Sequence, residues 1–392
     1  MQVTRRTVLA SSAAALIARP AFAQQDVIKV GVISSQTGPF AAVGRQMMAG
    51  IRLYMQEHGD VVAGKKIEIV LRDDAGVADQ ARRQAQELVA SGQAQFLAGF
   101  TLTPAALAAA PIATQAKTPM VVMVGATSII PDRSPFIVRS HLSVPQFAVP
   151  YGRWIAEQQV KTLITLVADY GPGQDYEGFL SQGFQERGGK VIANLRVPLA
   201  SPDFAPFLQR VANEKPDALF IFVPAGGVAN VLMKQIKERG LVENGIKLFA
   251  ETNIVDDELV DSMGDVAIGA VTIGAYSSSH DSDKNRKFVE AFRKQNNVRP
   301  NIVGVAGYDG MHFIYEALRK TNGSTDGTKN LQAMMDLEWE SPRGPVKLDP
   351  TTRDLIQNAY VRRTERAANG EMQNIEFATI PMVKDPTRPA KP

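Results

Sequence analysis

The chain contains no cysteine, and only two tryptophans and four histidines among its 392 residues. Without thiols it has no disulfide, no thiolate metal site, no cysteine nucleophile and no lipid-modified N-terminal cysteine. His58, His141, His280 and His312 lie far apart, with no His-x-x-x-His pair of the kind a zinc hydrolase uses. There is no Gly-x-Ser-x-Gly elbow, dinucleotide fingerprint or phosphate loop. Gly171-Pro172-Gly173 is only superficially a glycine-rich loop, because Pro172 removes a donor and the third glycine is misplaced. Asp73-Asp74 reads as a solvated turn or helix cap, not as an acid–base pair. No later apolar run approaches the roughly twenty residues of a membrane span. These absences favour a binding protein without a cofactor over an enzyme.

The N-terminus sets the expected compartment. Arg5 and Arg6 precede an apolar run from Val8 to Ile17, and the segment ends in Ala21-Phe22-Ala23. That pattern predicts an export signal cleaved after Ala23, and Thr4-Arg5-Arg6-Thr7-Val8-Leu9 resembles the twin-arginine type. The first 23 residues carry Arg5, Arg6 and Arg19 and no acid. Their removal takes the basic count from 43 to 40, against 40 Asp and Glu. A mature chain of zero formal charge has no electrostatic reason to seek nucleic acid or anionic lipid. The expected product is free in the periplasm, monomeric and without a membrane anchor.

The mature length exceeds what one core usually serves, which predicts two lobes. Short β-rich runs (Val27–Ser34, Lys66–Leu71, Gln95–Gly99, Pro119–Val124) alternate with helical spacing at Ala41–Glu57, Ala78–Ala90 and Ala105–Gln115. The alternation restarts after residue 144. Continuous apolar strands between amphipathic helices indicate parallel sheets covered on both faces. The predicted class is α/β, with two doubly wound parallel-sheet lobes and a ligand crevice at the strand ends. Residues 27–143 with 277–345 are assigned to the first lobe and 144–276 with 346–384 to the second. The Pro- and Lys-rich tail, 385–392, is expected to be disordered.

Three loops at predicted strand ends of the first half carry groups suited to holding a ligand. In Phe100-Thr101-Leu102-Thr103-Pro104, Thr103 stands at the N-cap position and Pro104 at the first helical position. Free N–H groups, hydroxyls and a positive helix end make a carboxylate site there, with a plain cap as the equal alternative. Gly125-Ala126-Thr127-Ser128 repeats the small, hydroxyl-bearing pattern. Phe40 closes the turn after the first strand, where it can cover an apolar ligand. Tyr170 lies just past a strand of the second half, placed to touch a ligand or to pack between the lobes.

These residues, in this order, resemble the periplasmic leucine/isoleucine/valine-binding proteins of ABC transporters over nearly the whole mature chain. The matching strings are Ile28 to Ile33 with Thr37-Gly38-Pro39, Gly125-Ala126-Thr127, Asp169-Tyr170-Gly171 and Ala306-Gly307-Tyr308-Asp309. Ser341-Pro342-Arg343-Gly344-Pro345, Arg353-Asp354 and Gln357-Asn358 complete them. The resemblance implies two lobes joined by three crossing strands, with the permease of an ABC importer as partner. It also implies that Thr101, Leu102, Thr103, Ala126 and Thr127 receive the ligand's carboxylate, with Tyr170 facing it from the second lobe. In the amino-acid binders a tyrosine and a glutamate hold the ammonium group. Their places fall near Ala225 and Gly226, and near Thr252, none of which carries a negative charge. The preferred ligand is therefore an aromatic or other hydrophobic acid without an amino group. Branched-chain amino acids and amide- or urea-like ligands stay open, most of all through Glu251 beside Thr252. A ligand sensor of the same fold and an exported hydrolase are the competing readings.

Overall fold

The computed structural model describes residues 26–199 and 202–388, so the expected export signal and the tail beyond Arg388 lie outside the described residues. The first half runs β1 (Val27–Ser34), α1 (Ala41–His58), β2 (Val61–Val62), β3 (Lys65–Asp73), α2 (Ala78–Ala90), β4 (Phe96–Gly99), α3 (Thr103–Ala116), β5 (Met120–Val122) and β6 (Ile137–Arg139). Its sheet has the order β2-β3-β1-β4-β5-β6 and is parallel except at β2. β4 and β5 are buried at every residue, as strands covered by helices on both faces should be.

The pattern restarts with α4 (Val144–Glu157), β7 (Thr162–Ala168), α5 (Gly171–Glu186), β8 (Lys190–Val197), α6 (Ala205–Glu214), β9 (Ala218–Phe222), α7 (Gly227–Glu238), β10 (Lys247–Glu251), α8 (Val260–Met263) and β11 (Val271–Gly274). The chain then supplies α9 (Asp283–Asn296), α10 (Ile302–Lys320), α11 (Gly327–Met334), β12 (Glu338–Ser341), β13 (Gly344–Leu348), β14 (Leu355–Arg366) and β15 (Met372–Val383). The second sheet has the order β12-β13-β14-β11-β10-β9-β7-β8, with β15 paired to β14. Strands β7 to β11 are mutually parallel, and the C-terminal strands join antiparallel. α10 packs back on α1 in the first lobe, where Tyr308 and Tyr315 donate to the Glu57 carboxylate (2.6 Å) and the Gly59 carbonyl (2.8 Å).

Three buried arginines hold the passages between lobes. Arg139 donates to Asp354 (2.7 Å) and to the carbonyls of Gly125 and Thr127. Arg343 pairs with Asp309 at 2.8 Å and also reaches Gln357 and the Ser140 carbonyl. Arg362 pairs with Asp257 at 3.4 Å. A buried guanidinium is tolerated only with this density of acceptors.

Two boundaries differ from the sequence expectation. The division at 345/346 falls inside β13, and β12 is hydrogen-bonded into the second sheet although it was assigned to the first lobe. The hairpin bridges both, since Trp339 donates to Asp309 of α10 (3.1 Å). The tail expected to be disordered from 385 is docked as far as Arg388. Asp385 is buried and accepts from the Ser143 hydroxyl (2.5 Å), and Arg388 reaches the Ser128 carbonyl and Asp132. Composition signals low core content, whereas a few specific polar partners anchor a short segment.

Candidate functional site

The C-terminal ends of β1, β4 and β5 face those of β7, β9 and β10 across a crevice. At the end of β4 the backbone turns sharply: Gly99 has φ 102° and the buried Phe100 has φ 67°. Left-handed backbone is uncommon for a bulky residue and marks an imposed turn. Here it directs Thr101 to Thr103 into the cleft and starts α3. The Thr101 hydroxyl accepts from the Ser35 N–H (3.0 Å), fixing this loop to the end of β1. Ser35 in turn donates to Asp74 (2.7 Å), while Asp73 accepts from Gln36 N–H and Thr37. The adjacent aspartates thus hold the turn before Phe40, and Asp74 is buried instead of solvated.

Thr103 does not cap its helix. Leu102 is the N-cap, and the Thr103 hydroxyl lies 2.9 Å from that of Thr127, which the loop after β5 brings alongside. The first-turn N–H groups of α3 have no acceptor within the helix and point toward the cleft end.

α5 meets this pair from the other lobe. A Cβ on Gly171 would stand 2.5 Å from Thr127 Oγ1 and 3.4 Å from Thr103 Cγ2. The Ser128 N–H donates across the cleft to the Asp175 carboxylate at 2.8 Å. Burial raises the Asp175 pKa, with the Ser128 N–H acting against it. Two helix N-termini, one per lobe, therefore converge on one point, which is a favourable place for a carboxylate.

The cavity between these strand ends is small, about 60 Å³. Of the residues expected at the site, Phe40, Thr101, Leu102, Thr103, Ala126, Tyr170 and Ala225 line it. Thr127 stands behind Thr103. Gly226, with φ 107°, is the N-cap of α7 and does not line the cavity. Tyr170 and Tyr176 lie against Phe222, with ring centroids 6.0 and 4.8 Å apart, forming an aromatic wall in the second lobe.

Thr252, expected at the site, does not line the cavity. Its side chain packs against Gly274, away from the cavity, and Glu251 lines the cavity instead. Successive residues at a strand end point to opposite faces, so a shift of one residue exchanges which of them meets the ligand. A carboxyl group therefore does face the ligand space. Glu251 accepts from the Asn253 N–H (2.9 Å), but burial still pushes its pKa up to about 8.

Sequence reading also missed His141, Tyr176 and Asn253, all of which line the cavity. Both His141 ring nitrogens and the Tyr176 hydroxyl are buried without a hydrogen-bond partner. Burial holds His141 well below the ordinary histidine pKa, and the cations of Arg343 and Arg139 depress it further. Glu251 has a sequence signal, since it ends a strand. His141 sits in a passage between lobes and Tyr176 inside a helix, where neither period nor motif marks them.

A larger groove of about 420 Å³, lined by Trp154, Phe249 and Phe377 among others, lies at the N-terminal ends of β10 and β11. It has no converging helix N-termini and sits opposite the strand ends where α/β sheets bind ligands. Among the described residues no helix is long and apolar enough to cross a membrane, and no cluster of His, Asp or Glu is arranged to hold a metal.

Residues 27–371 match the model of a family described as periplasmic binding protein. A Leu/Ile/Val-binding protein homolog 6 from Brucella abortus (strain 2308) is 41% identical, covering 93% of this chain and 94% of the relative. An ABC-transporter solute binding protein from Rhodopseudomonas palustris BisB5, solved with 3,4-dihydroxybenzoic acid, is 49% identical, with TM-score 0.90 over 92% of this chain and 99% of that one. A second R. palustris solute binding protein, in complex with 4-hydroxybenzoate, is 38% identical, with TM-score 0.88 and the same coverage. A leucine binding protein from Thermotoga maritima MSB8, 23% identical with TM-score 0.78 over 91% and 99% of the two chains, shares the fold. The two-lobed architecture and these matches over nearly its whole length agree: this chain belongs to the periplasmic binding protein family and has the fold of ABC-transporter solute-binding proteins.

Proposed function

We propose that this protein is the periplasmic receptor of an ABC importer, capturing a single-ring aromatic carboxylate and delivering it to a permease in the inner membrane. The observation that carries this reading is the convergence of the α3 and α5 N-termini on one end of a small aromatic-walled cavity. The helix ends hold the carboxylate, and Phe40, Tyr170 and Phe222 cover the ring. Relatives solved with hydroxybenzoates support the same ligand class. The expected export signal, released after Ala23, would leave one free periplasmic copy that closes about its ligand without catalysis.

Glu251 favours a second reading, in which its carboxylate holds the ammonium group of a branched-chain amino acid. Binding an ammonium there requires ionising a carboxyl that burial keeps protonated near neutral pH, which opposes such a ligand. A thermal-shift screen against benzoate-type acids and the twenty amino acids separates the two, because a ligand that binds only the folded form raises the melting temperature. Shifts with aromatic acids and none with leucine are expected. A shift with leucine or valine alone would overturn the aromatic-acid reading.

A further inference from the structure

Three polar side chains of the cavity wall, His141, Tyr176 and Glu251, are not used in the contact between the two helix ends. His141 offers two ring nitrogens and Tyr176 one hydroxyl, all buried and without a partner. Glu251 is buried in the same cavity wall, and one of its oxygens accepts the Asn253 N–H. Native proteins rarely leave such groups unpaired, and those that line a ligand cavity are satisfied by the ligand.

The chemistry of the set specifies the ligand. A neutral imidazole presents one donor and one bare acceptor nitrogen, and a carboxyl group presents at least one acceptor oxygen in either protonation state. His141 is held neutral by burial and by Arg343 and Arg139, so its acceptor nitrogen persists. Benzoate brings no donor, so it leaves the bare His141 nitrogen and the Glu251 acceptor oxygen unpaired. A ring hydroxyl both donates and accepts, so it can give its proton to Glu251 or His141 while receiving one from Tyr176.

Resting on the aromatic-carboxylate reading above, we infer that His141, Tyr176 and Glu251 form a hydroxyl-recognition subsite that selects ring-hydroxylated aromatic acids over unsubstituted benzoate. Phe222 and Tyr170 place the ring, the helix N-termini fix the carboxylate, and the subsite reads the ring substituents. The role of Glu251 is then to recognise a neutral hydroxyl, and Tyr176 packs at a tilt against Phe222 with its hydroxyl available to the same substituent.

The test is a calorimetric titration of the purified mature protein with 4-hydroxybenzoate, 3,4-dihydroxybenzoate, benzoate and leucine, in two buffers of different ionisation enthalpy. The hydroxylated acids should bind about ten- to a hundred-fold more tightly than benzoate, since benzoate buries acceptors it cannot pair. In Tyr176→Phe and Glu251→Ala the ratio of hydroxybenzoate to benzoate affinity should collapse toward one. Equal affinity for benzoate and both hydroxybenzoates in the unmodified protein would overturn the subsite and leave the aromatic-acid reading intact. Leucine binding with proton release to the buffer, and no aromatic acid binding, would instead overturn the underlying reading. The wild-type series decides the matter even where a variant does not fold.

Discussion

Gly171 offers a direct test of how the cleft closes. It opens α5 at the contact with the other lobe, and a Cβ there would meet Thr127 Oγ1 at 2.5 Å, where ordinary contact begins near 3.4 Å. Gly171→Ala should therefore hold the two helix ends about 1 Å further apart than the closed form allows. The same movement stretches the 2.8 Å bond from Ser128 N–H to Asp175 beyond hydrogen-bonding range. A hydrogen bond to a charged group contributes about 1.5–3 kcal/mol, so affinity should fall roughly tenfold to a hundredfold. The unliganded protein should not suffer, because alanine is favoured over glycine in a helix by up to about 1 kcal/mol. Gly178 in the same helix has nothing within 4 Å of its would-be Cβ, so Gly178→Ala supplies the matched control. The assay is titration calorimetry with 4-hydroxybenzoate, alongside solution scattering to follow compaction on binding. If Gly171→Ala binds and compacts like Gly178→Ala, the contact between α5 and the threonine pair does not govern closure.

Three further outcomes are expected. Thr103→Ala combined with Thr127→Ala should weaken every carboxylate ligand by about tenfold, and unchanged calorimetric affinity would remove the threonine pair from the anion site. Asp309→Ala strands the buried Arg343 and deprives Ser341 and Trp339 of their acceptor, at a cost of about 3–5 kcal/mol. For a chain of this length melting as one unit, that lowers Tm by about 4–6 °C, readable by calorimetry. Burial raises Glu251 to about 8 and Asp256 to about 7, so the folded form keeps protons that the unfolded chain releases near pH 4. Their stabilising contribution is complete below that pH and is lost as pH rises through 7 and 8. Each contributes a slope of at most about 1.4 kcal/mol per unit between pH 5 and 7. Urea unfolding without ligand should show stability falling over this range, and Glu251→Gln should flatten it; an identical slope in the variant would refute the assignment.

The amino-acid sequence by itself determined the class of this protein. Buried strands such as Phe96–Gly99, with no polar alternation, can only be covered on both faces, and their alternation with amphipathic helices leaves a doubly wound sheet as the solution. The hydroxyl-bearing loops were legible for the same local reason: Thr101 to Thr103 and Ala126-Thr127 follow strands, and strand ends are where such folds bind. Tertiary structure decided whatever depends on a single residue of register or on the meeting of distant segments. Glu251 rather than Thr252 lines the cavity because side chains alternate in direction at the end of β10, so one residue of register exchanges which of them meets the ligand. His141 reaches the cavity because the passage between lobes carries it there, and its isolation from partners follows from packing between Arg139 and Arg343. Thr103 turns from its cap to Thr127 because β4 and β5 are neighbours in the sheet, a fact set by strand order. The tail from Asp385 is held by Ser143, 242 positions away, a pairing no local pattern encodes.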